Sequence, residues 1–420
     1  MTDAAQPTTT PIPEVYVLWH PRCGNGDLLA RSILQWLRPG IGMGPEVFYR
    51  SAKAPGDQPY DLPLPLPGEK DRRLPVPGSN HGKTRADHQI IVPLIDENFV
   101  TELPWRYWLQ RLAKDSSQKR TIFPVALDPT AYNMPDEIRQ LNYLRPVGSP
   151  TTAAPATAEF TRMERSLLKQ LTEAMCRLLL PRPASAKGRP GGDIPKVNVF
   201  LSHAKQDGAV PARRLRDYIY SQTQLAAFFD ENDISYASTF ATSIQNSLES
   251  MDTAALISVR SVQYAFRPWC RREFSVFRRP RQESTARNKS QRWRLYPSLV
   301  VEALAGRDIS YGIPEAGNCP IIRWNEEDAD LEELIITTVI RDAMLASFHS
   351  ALGASLAKKP NQIVINWVPD PTTLLHIPRI RRDESVELLY PGRGLSSLEL
   401  QTLGDFFKNV EFHAFEQVRQ

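Results

Sequence analysis

The sequence lacks paired cysteines. Cys23, Cys176, Cys270 and Cys319 stand far apart and form no Cys-x-x-Cys pair, so neither a zinc knuckle nor a disulfide framework is indicated. A reduced cytoplasm is the expected setting. Long apolar runs are missing as well: no stretch approaches about 18 apolar residues. Met1 to Pro13 carries no basic start followed by an apolar run, and no membrane partner is expected. The histidines are equally scattered. Their nearest pair, His81 and His88, has no cysteine beside it, so no metal enters the expected chemistry. An excess of one charge is also absent. Lys and Arg number 51 against 47 Asp and Glu, a formal net charge of +4, which gives no reason to expect a general polyanion binder. The loop Pro391-Gly-Arg-Gly394 lacks the Gly-x-x-x-x-Gly-Lys-Ser/Thr spacing of a phosphate loop. Its glycines are read as a turn.

What is present is an alternation of apolar runs and amphipathic segments. The chain has 420 residues, 41% of them hydrophobic, enough for more than one domain with a sizeable core. Val197–Leu201, Ala226–Asp230 and Thr253–Val259 read as buried strands. Ala209–Ser221 and Phe240–Met251 read as the helices between them, the latter with Phe240, Ile244, Leu248 and Met251 at helical spacing. Strands alternating with helices predict an α/β fold with a parallel, doubly wound sheet, which takes ligands at the carboxyl ends of its strands. Ser202–Gly208, Asp230–Ser238 and Trp269–Glu273 all follow such ends. Pro268 suits the first turn of a helix, and Trp269 and Glu273 then fall four residues apart on one face.

Phe200-Leu-Ser-His203, Phe229-Asp-Glu-Asn-Asp-Ile234, Ser261-Val-Gln-Tyr264 and Pro268-Trp-Cys-Arg-Arg-Glu273 occur in this order. Together they resemble the successive motifs of a Toll/interleukin-1 receptor (TIR) domain over Lys196 to Ser347. The Trp-x-x-x-Glu spacing is similar to that of TIR domains that cleave NAD+, rather than to adaptors that only assemble. The resemblance implies a flavodoxin-like sheet and NAD+ as substrate, with no cofactor. Glu273 is the implied catalytic carboxylate, holding the ribose attached to nicotinamide. Trp269, Lys205, Asp230 and Phe240 are the implied substrate-binding residues. It further implies self-association through the loop Asp230–Ser238, which here has Ser235-Tyr-Ala-Ser238 where Pro and Gly are usual. A bacterial antiviral or cell-suicide role would require a trigger, either a companion protein or a nucleic acid or nucleotide.

The N-terminal half reads the same way. Val15–Trp19, Ile90–Ile95 and Thr121–Leu127 are strands, and Leu28–Leu37 and Trp105–Ala113 helices. Laid over the second half, they give an internal repeat of about 180 residues. Pro104-Trp105 matches Pro268-Trp269, but Leu109 stands where the other copy has Glu273. Residues 14–150 are therefore read as a degenerate TIR-like domain without the carboxylate. Ser51–His88, rich in Pro and Gly, is read as a long surface loop, and Phe160–Leu180 as a closing helix. Pro181–Pro195 completes a linker region taken as 151–195. The TIR-like domain is placed at 196–350, with a long amphipathic helix over Leu331–Leu352. A small α/β annex follows at 351–420. Arg278–Arg294 is a basic run, read as solvated surface.

Cleaving the nicotinamide bond needs no general acid, because the leaving group is already good. It needs an anchored ribose and a negative charge near the oxocarbenium-like transition state. Glu273, near a helix N-terminus, supplies the charge, and Trp269 an aromatic wall for a planar cation. Two other classes remain open: a non-enzymatic TIR scaffold, and an unrelated α/β nucleotide-binding protein.

Overall fold

The computed structural model describes residues 11–40, 42–51, 87–114, 120–147, 157–180, 197–223, 225–229, 253–283, 290–304, 308, 311–382 and 384–419. The chain divides into two compact units, residues 11–174 and 175–420. Among the described residues no helix is long and apolar enough to cross a membrane.

In the first unit, β1 (Pro13–Trp19) lies between β2 (Glu46–Ser51) and β3 (His88–Ile95), and β3 continues to β4 (Arg120–Ile122) and β5 (Val125–Ala126). Every pairing is parallel. β1 and β3 are buried along almost their whole length, as expected for parallel strands covered on both faces. The run read as one strand over Thr121–Leu127 is broken after Ile122, where Pro124 cannot donate to the ladder. The helices are α1 (Gly26–Leu37), α2 (Glu97–Thr101), α3 (Leu103–Lys114), α4 (Asp136–Arg139) and α5 (Ala158–Leu179). Trp105, Trp108, Leu109 and Leu112 of α3 join Tyr16, Leu18, Ile91 and Ile95 in one core.

In the second unit the order is β7 (Ala226–Phe229), β6 (Asn198–His203), β8 (Thr253–Arg260), β11 (Ser298–Glu302), β12 (Ile321–Arg323), again all parallel. Numbered within that sheet, the order is 2-1-3-4-5, the flavodoxin-like order in which the connections reverse beside the first strand. The expected parallel, doubly wound α/β fold is what the chain adopts. Helices α6 (Ala209–Gln222) and α7 (Pro268–Arg278) flank this sheet. The segment Asp230–Met251 and the linker Pro181–Pro195 lie outside the described residues.

A further sheet runs β15 (Val410–Ala414), β14 (Val386–Tyr390), β13 (Gln362–Ile365), β10 (Gln291–Arg294), β9 (Arg281–Glu283), antiparallel only between β9 and β10. The annex placed at 351–420 is thus not one continuous segment. It takes two strands from within 281–294, part of the run read as solvated basic surface. Those arginines are used in packing: Arg281 and Arg294 both stand over the Tyr296 ring, at 5.1 and 4.9 Å.

Helix α8 (Leu331–Leu356) contacts β8 and β11 of one sheet and β10 and β13 of the other. Ile335, Ile336, Val339, Ile340, Met344, Phe348 and Leu352 are all buried. The amphipathic helix expected here is instead apolar around its circumference, because it has sheets to cover on more than one side. Polar ties fix it in place. Arg294 Nη2 donates to Ser347 Oγ at 2.9 Å, and Asn366 Nδ2 donates to the carbonyls of Ala346 and Leu295 at 3.1 and 3.2 Å.

Candidate functional site

Strand β6, between β7 and the central β8, ends in Ser202 and His203, both buried, at the carboxyl edge of the sheet. β6 and β8 are neighbours, β6 leading into α6 and β8 toward α7, the reversal of strand order beside which doubly wound sheets take ligands. The loop after β6 turns tightly through Gly208, whose N–H reaches the Ala204 carbonyl at 2.8 Å. A Cβ at Gly208 would lie 3.1 Å from that carbonyl oxygen, closer than a side chain comfortably allows. Asp207 on this loop accepts from Ser261 Oγ at 2.5 Å and from the Gln263 N–H at 2.9 Å. One carboxylate thereby ties together the loops that follow β6 and β8. Arg267 adds a second tie, donating to Gln206 Oε1 at 2.7 Å.

α7 starts at Pro268, which sits in the first turn where no N–H is needed. Cys270, Glu273, Phe274 and Phe277 are its buried residues, an i, i+3, i+4, i+7 stripe facing the sheet. Glu273 is thus an acid on an otherwise apolar face, only 6% exposed. A carboxylate buried in that way requires a donor. Ser202 provides one: its hydroxyl donates to Glu273 Oε2 at 2.5 Å. Tyr264 OH stands 2.8 Å from Ser202 Oγ. With the serine proton directed to the carboxylate, the tyrosine hydroxyl is shared between Ser202 Oγ and the Cys270 carbonyl oxygen, 3.3 Å away. Tyr264 is fully buried, and burial, followed by the nearby Glu273 charge, drives its hydroxyl well above the usual phenol range. It remains protonated and able to donate. The result is a directed chain, Tyr264 to Ser202 to Glu273, ending on the carboxylate. Cys270 Sγ closes the base of the site, 3.5 Å from the His203 carbonyl oxygen.

The sequence-predicted residues fall in different surroundings. Glu273 is buried on α7, against the carboxyl end of β6. Trp269 is 41% exposed at the start of α7, with the Arg272 guanidinium 5.2 Å from its ring centroid. The indole and the carboxylate stand one turn apart but face different environments. Glu273 also sits in the second turn of α7 rather than the first, where the helix dipole has largely faded, and the hydroxyl of Ser202 is one local donor that stabilises it. Lys205 is exposed on the loop after β6. Asp230 and Phe240 lie outside the described residues.

Ser202 and Tyr264 were within the motifs that carried the resemblance, yet no role attached to them. Their partners are 71 and 62 residues away in sequence, and only the fold joins them. Two exposed aromatics were also missed. Phe266, 56% exposed, and Tyr311, 48% exposed, meet edge to face with centroids 4.7 Å apart.

The first unit places different groups at the corresponding edge. His20, the residue after β1, is 2% exposed. Its Nδ1 accepts from the Arg22 N–H at 3.2 Å, so Nε2 carries the proton toward Glu102 Oε2 at 3.1 Å. Arg22 pairs with the other Glu102 oxygen. Asp96, at the end of β3, is spent on capping α2, accepting from the Phe99 N–H at 2.9 Å. Among the described residues no cluster of His, Cys, Asp and Glu could hold a metal ion. Compared with protein-family models the chain matches none, and no curated protein matches it significantly.

Proposed function

We propose that this chain is a TIR-type NAD+ nucleosidase, with Glu273 as the catalytic carboxylate. The observation that carries the reading is a buried glutamate, anchored by Ser202, at the carboxyl end of the strand where the sheet order reverses. That is where doubly wound sheets take their ligands. The nicotinamide-ribose bond breaks with its electron pair leaving on the nicotinamide ring nitrogen, which becomes neutral. Positive charge develops on the ribose, and the Glu273 carboxylate opposes it. Water then adds to the ribose and releases a proton, or a nitrogen of the same ADP-ribose adds and closes a ring. Ser202, backed by Tyr264, holds the carboxylate in one rotamer, so little reorganisation accompanies the reaction. The Trp269 ring and Lys205, both exposed to the solvent side, meet the planar base and the phosphates. The cellular role proposed is an antiviral or cell-suicide effector activated by assembly.

A scaffold reading is favoured by one feature. Phe266, Tyr311 and Trp269 are exposed aromatics, the first two in ring contact, and clustered apolar surface marks contact sites. The experiment that decides is incubation of purified full-length protein with NAD+ over a range of protein concentrations, with nicotinamide followed by chromatography. The proposal expects release that rises per molecule with concentration. Concentration-dependent self-association with no nicotinamide at any concentration would favour the scaffold.

A further inference from the structure

A second concave site lies at the other end of α7. A cavity of about 550 Å³ opens among the last turn of that helix, the turn at Gly317 and the segment Asp370–His376 beside the C-terminal sheet. Its size is that of a small-molecule site. Its charge is unbalanced. Arg278 and Arg279 both line it, and Arg278 Nε is a buried donor with no hydrogen-bond partner among the described residues. Leaving a charged donor unmet is costly unless something else meets it. The carboxylate in the wall is engaged elsewhere. Asp370 caps the short helix Pro371–Leu374, accepting from the Thr373 N–H at 3.0 Å and from its hydroxyl at 2.6 Å. Gly317 has φ of +49°, a conformation that side chains rarely adopt, and the nearest atom to a Cβ built there is Arg278 Nη2 at 3.9 Å. The wall beside that guanidinium is therefore bare backbone. The His376 imidazole, also in the wall, is held toward its neutral form by burial and then by the positive charges of Arg279 and Arg381, with Asp370 opposing them.

We propose that this cavity binds a small phosphate-bearing molecule, with the phosphate taken by Arg278 and Arg279 and the rest of the ligand lying against Thr373 and His376. Guanidinium forks match phosphate oxygens in geometry and charge, and a bare ion would leave most of the volume empty. The proposal is independent of the chemistry assigned to Glu273, although α7 forms a wall of both sites.

The test is calorimetric titration of the full chain with pyrophosphate, in the wild type and in Arg279→Glu, followed by competition of bound pyrophosphate with ADP and with adenosine. Arg279 is exposed, and an unchanged melting temperature without ligand verifies that the reversal leaves the fold intact. The expected result is saturable pyrophosphate binding that falls at least about tenfold in Arg279→Glu, is unchanged in Glu273→Gln, and is displaced by ADP but not by adenosine. Displacement by ADP at lower concentration than by pyrophosphate itself extends recognition to the nucleoside; equal potency confines it to the diphosphate. Absence of saturable binding, equal binding by Arg279→Glu, or loss in Glu273→Gln would overturn the proposal.

Discussion

The two flavodoxin-ordered sheets have the same strand order over their first strands and use the matching helix in opposite ways. In residues 11–174, Trp105 is fully buried and Leu109, one turn on, completes the core beneath it. In the other unit, Trp269 is substantially exposed and Glu273 occupies the inward position, held by Ser202. The strand ends differ in step: His20 Nε2 faces Glu102 Oε2 at 3.1 Å, whereas Ser202 donates to an acid on the helix. One unit has spent its carboxyl edge on packing and ion pairing. The other keeps a carboxylate there at an energetic cost, since burying an acid yields less stability than burying leucine. Cost retained at such a position is what the proposed role of Glu273 leads one to expect.

The comparison can be broken most forcefully by exchanging the helix residues. Leu109→Glu places an acid in an apolar core without a hydroxyl partner, and is expected to destabilise the first unit by on the order of 4 kcal/mol or more. Urea denaturation of the full chain, with pulse proteolysis to separate the units, measures it. Next come the tryptophans. Trp105→Ala should cost about 3–5 kcal/mol, whereas Trp269→Ala should cost about 1 kcal/mol, mostly its contact with Arg272. Equal losses would erase the contrast in burial.

Acid offers a third handle, through His349 of the second unit. His349 on α8 is buried, and desolvation lowers its imidazole to about 4. Its folded value lies below the unfolded value of about 6.5, so the folded state prefers the neutral ring. The contribution is intact above about pH 6.5 and is lost as pH falls toward 4, amounting to roughly 3 kcal/mol. His349→Phe should flatten that part of the stability profile, and an unchanged acid limb would contradict the assignment. A smaller effect than that of His349 is expected for Ser202→Ala. It removes the donor to Glu273 and should cost about 1–3 kcal/mol, together with activity, while Ser202→Thr restores part of both.

Much of the fold was legible because parallel strands covered on both faces are continuous apolar runs, as in Thr253–Arg260 and His88–Ile95. The losses have physical causes. β2 (Glu46–Ser51) follows Gly44-Pro45 and has too few apolar residues to stand out. β9 and β10 are short, arginine-rich strands whose charges are absorbed by Tyr296 and Glu283, and local charge density gave them the signature of a loop. α8 was recognised as a helix, but its periodicity was misread because sheets on more than one side demand apolar residues all round. At the candidate site, Glu273 was legible through its spacing from Trp269. The Tyr264–Ser202–Glu273 chain was not, because no local pattern encodes contacts between a strand, a turn and a helix far apart in sequence.

The most direct measurement of the central claim is nicotinamide release by Glu273→Gln beside the wild type, at matched concentration. Circular dichroism and melting temperature establish that both are folded. The glutamine keeps the shape and can still accept from Ser202, but removes the charge facing the ribose. The account predicts a loss of at least about 100-fold, roughly 3 kcal/mol of transition-state stabilisation. Wild-type rates of release by a folded Glu273→Gln protein would contradict it.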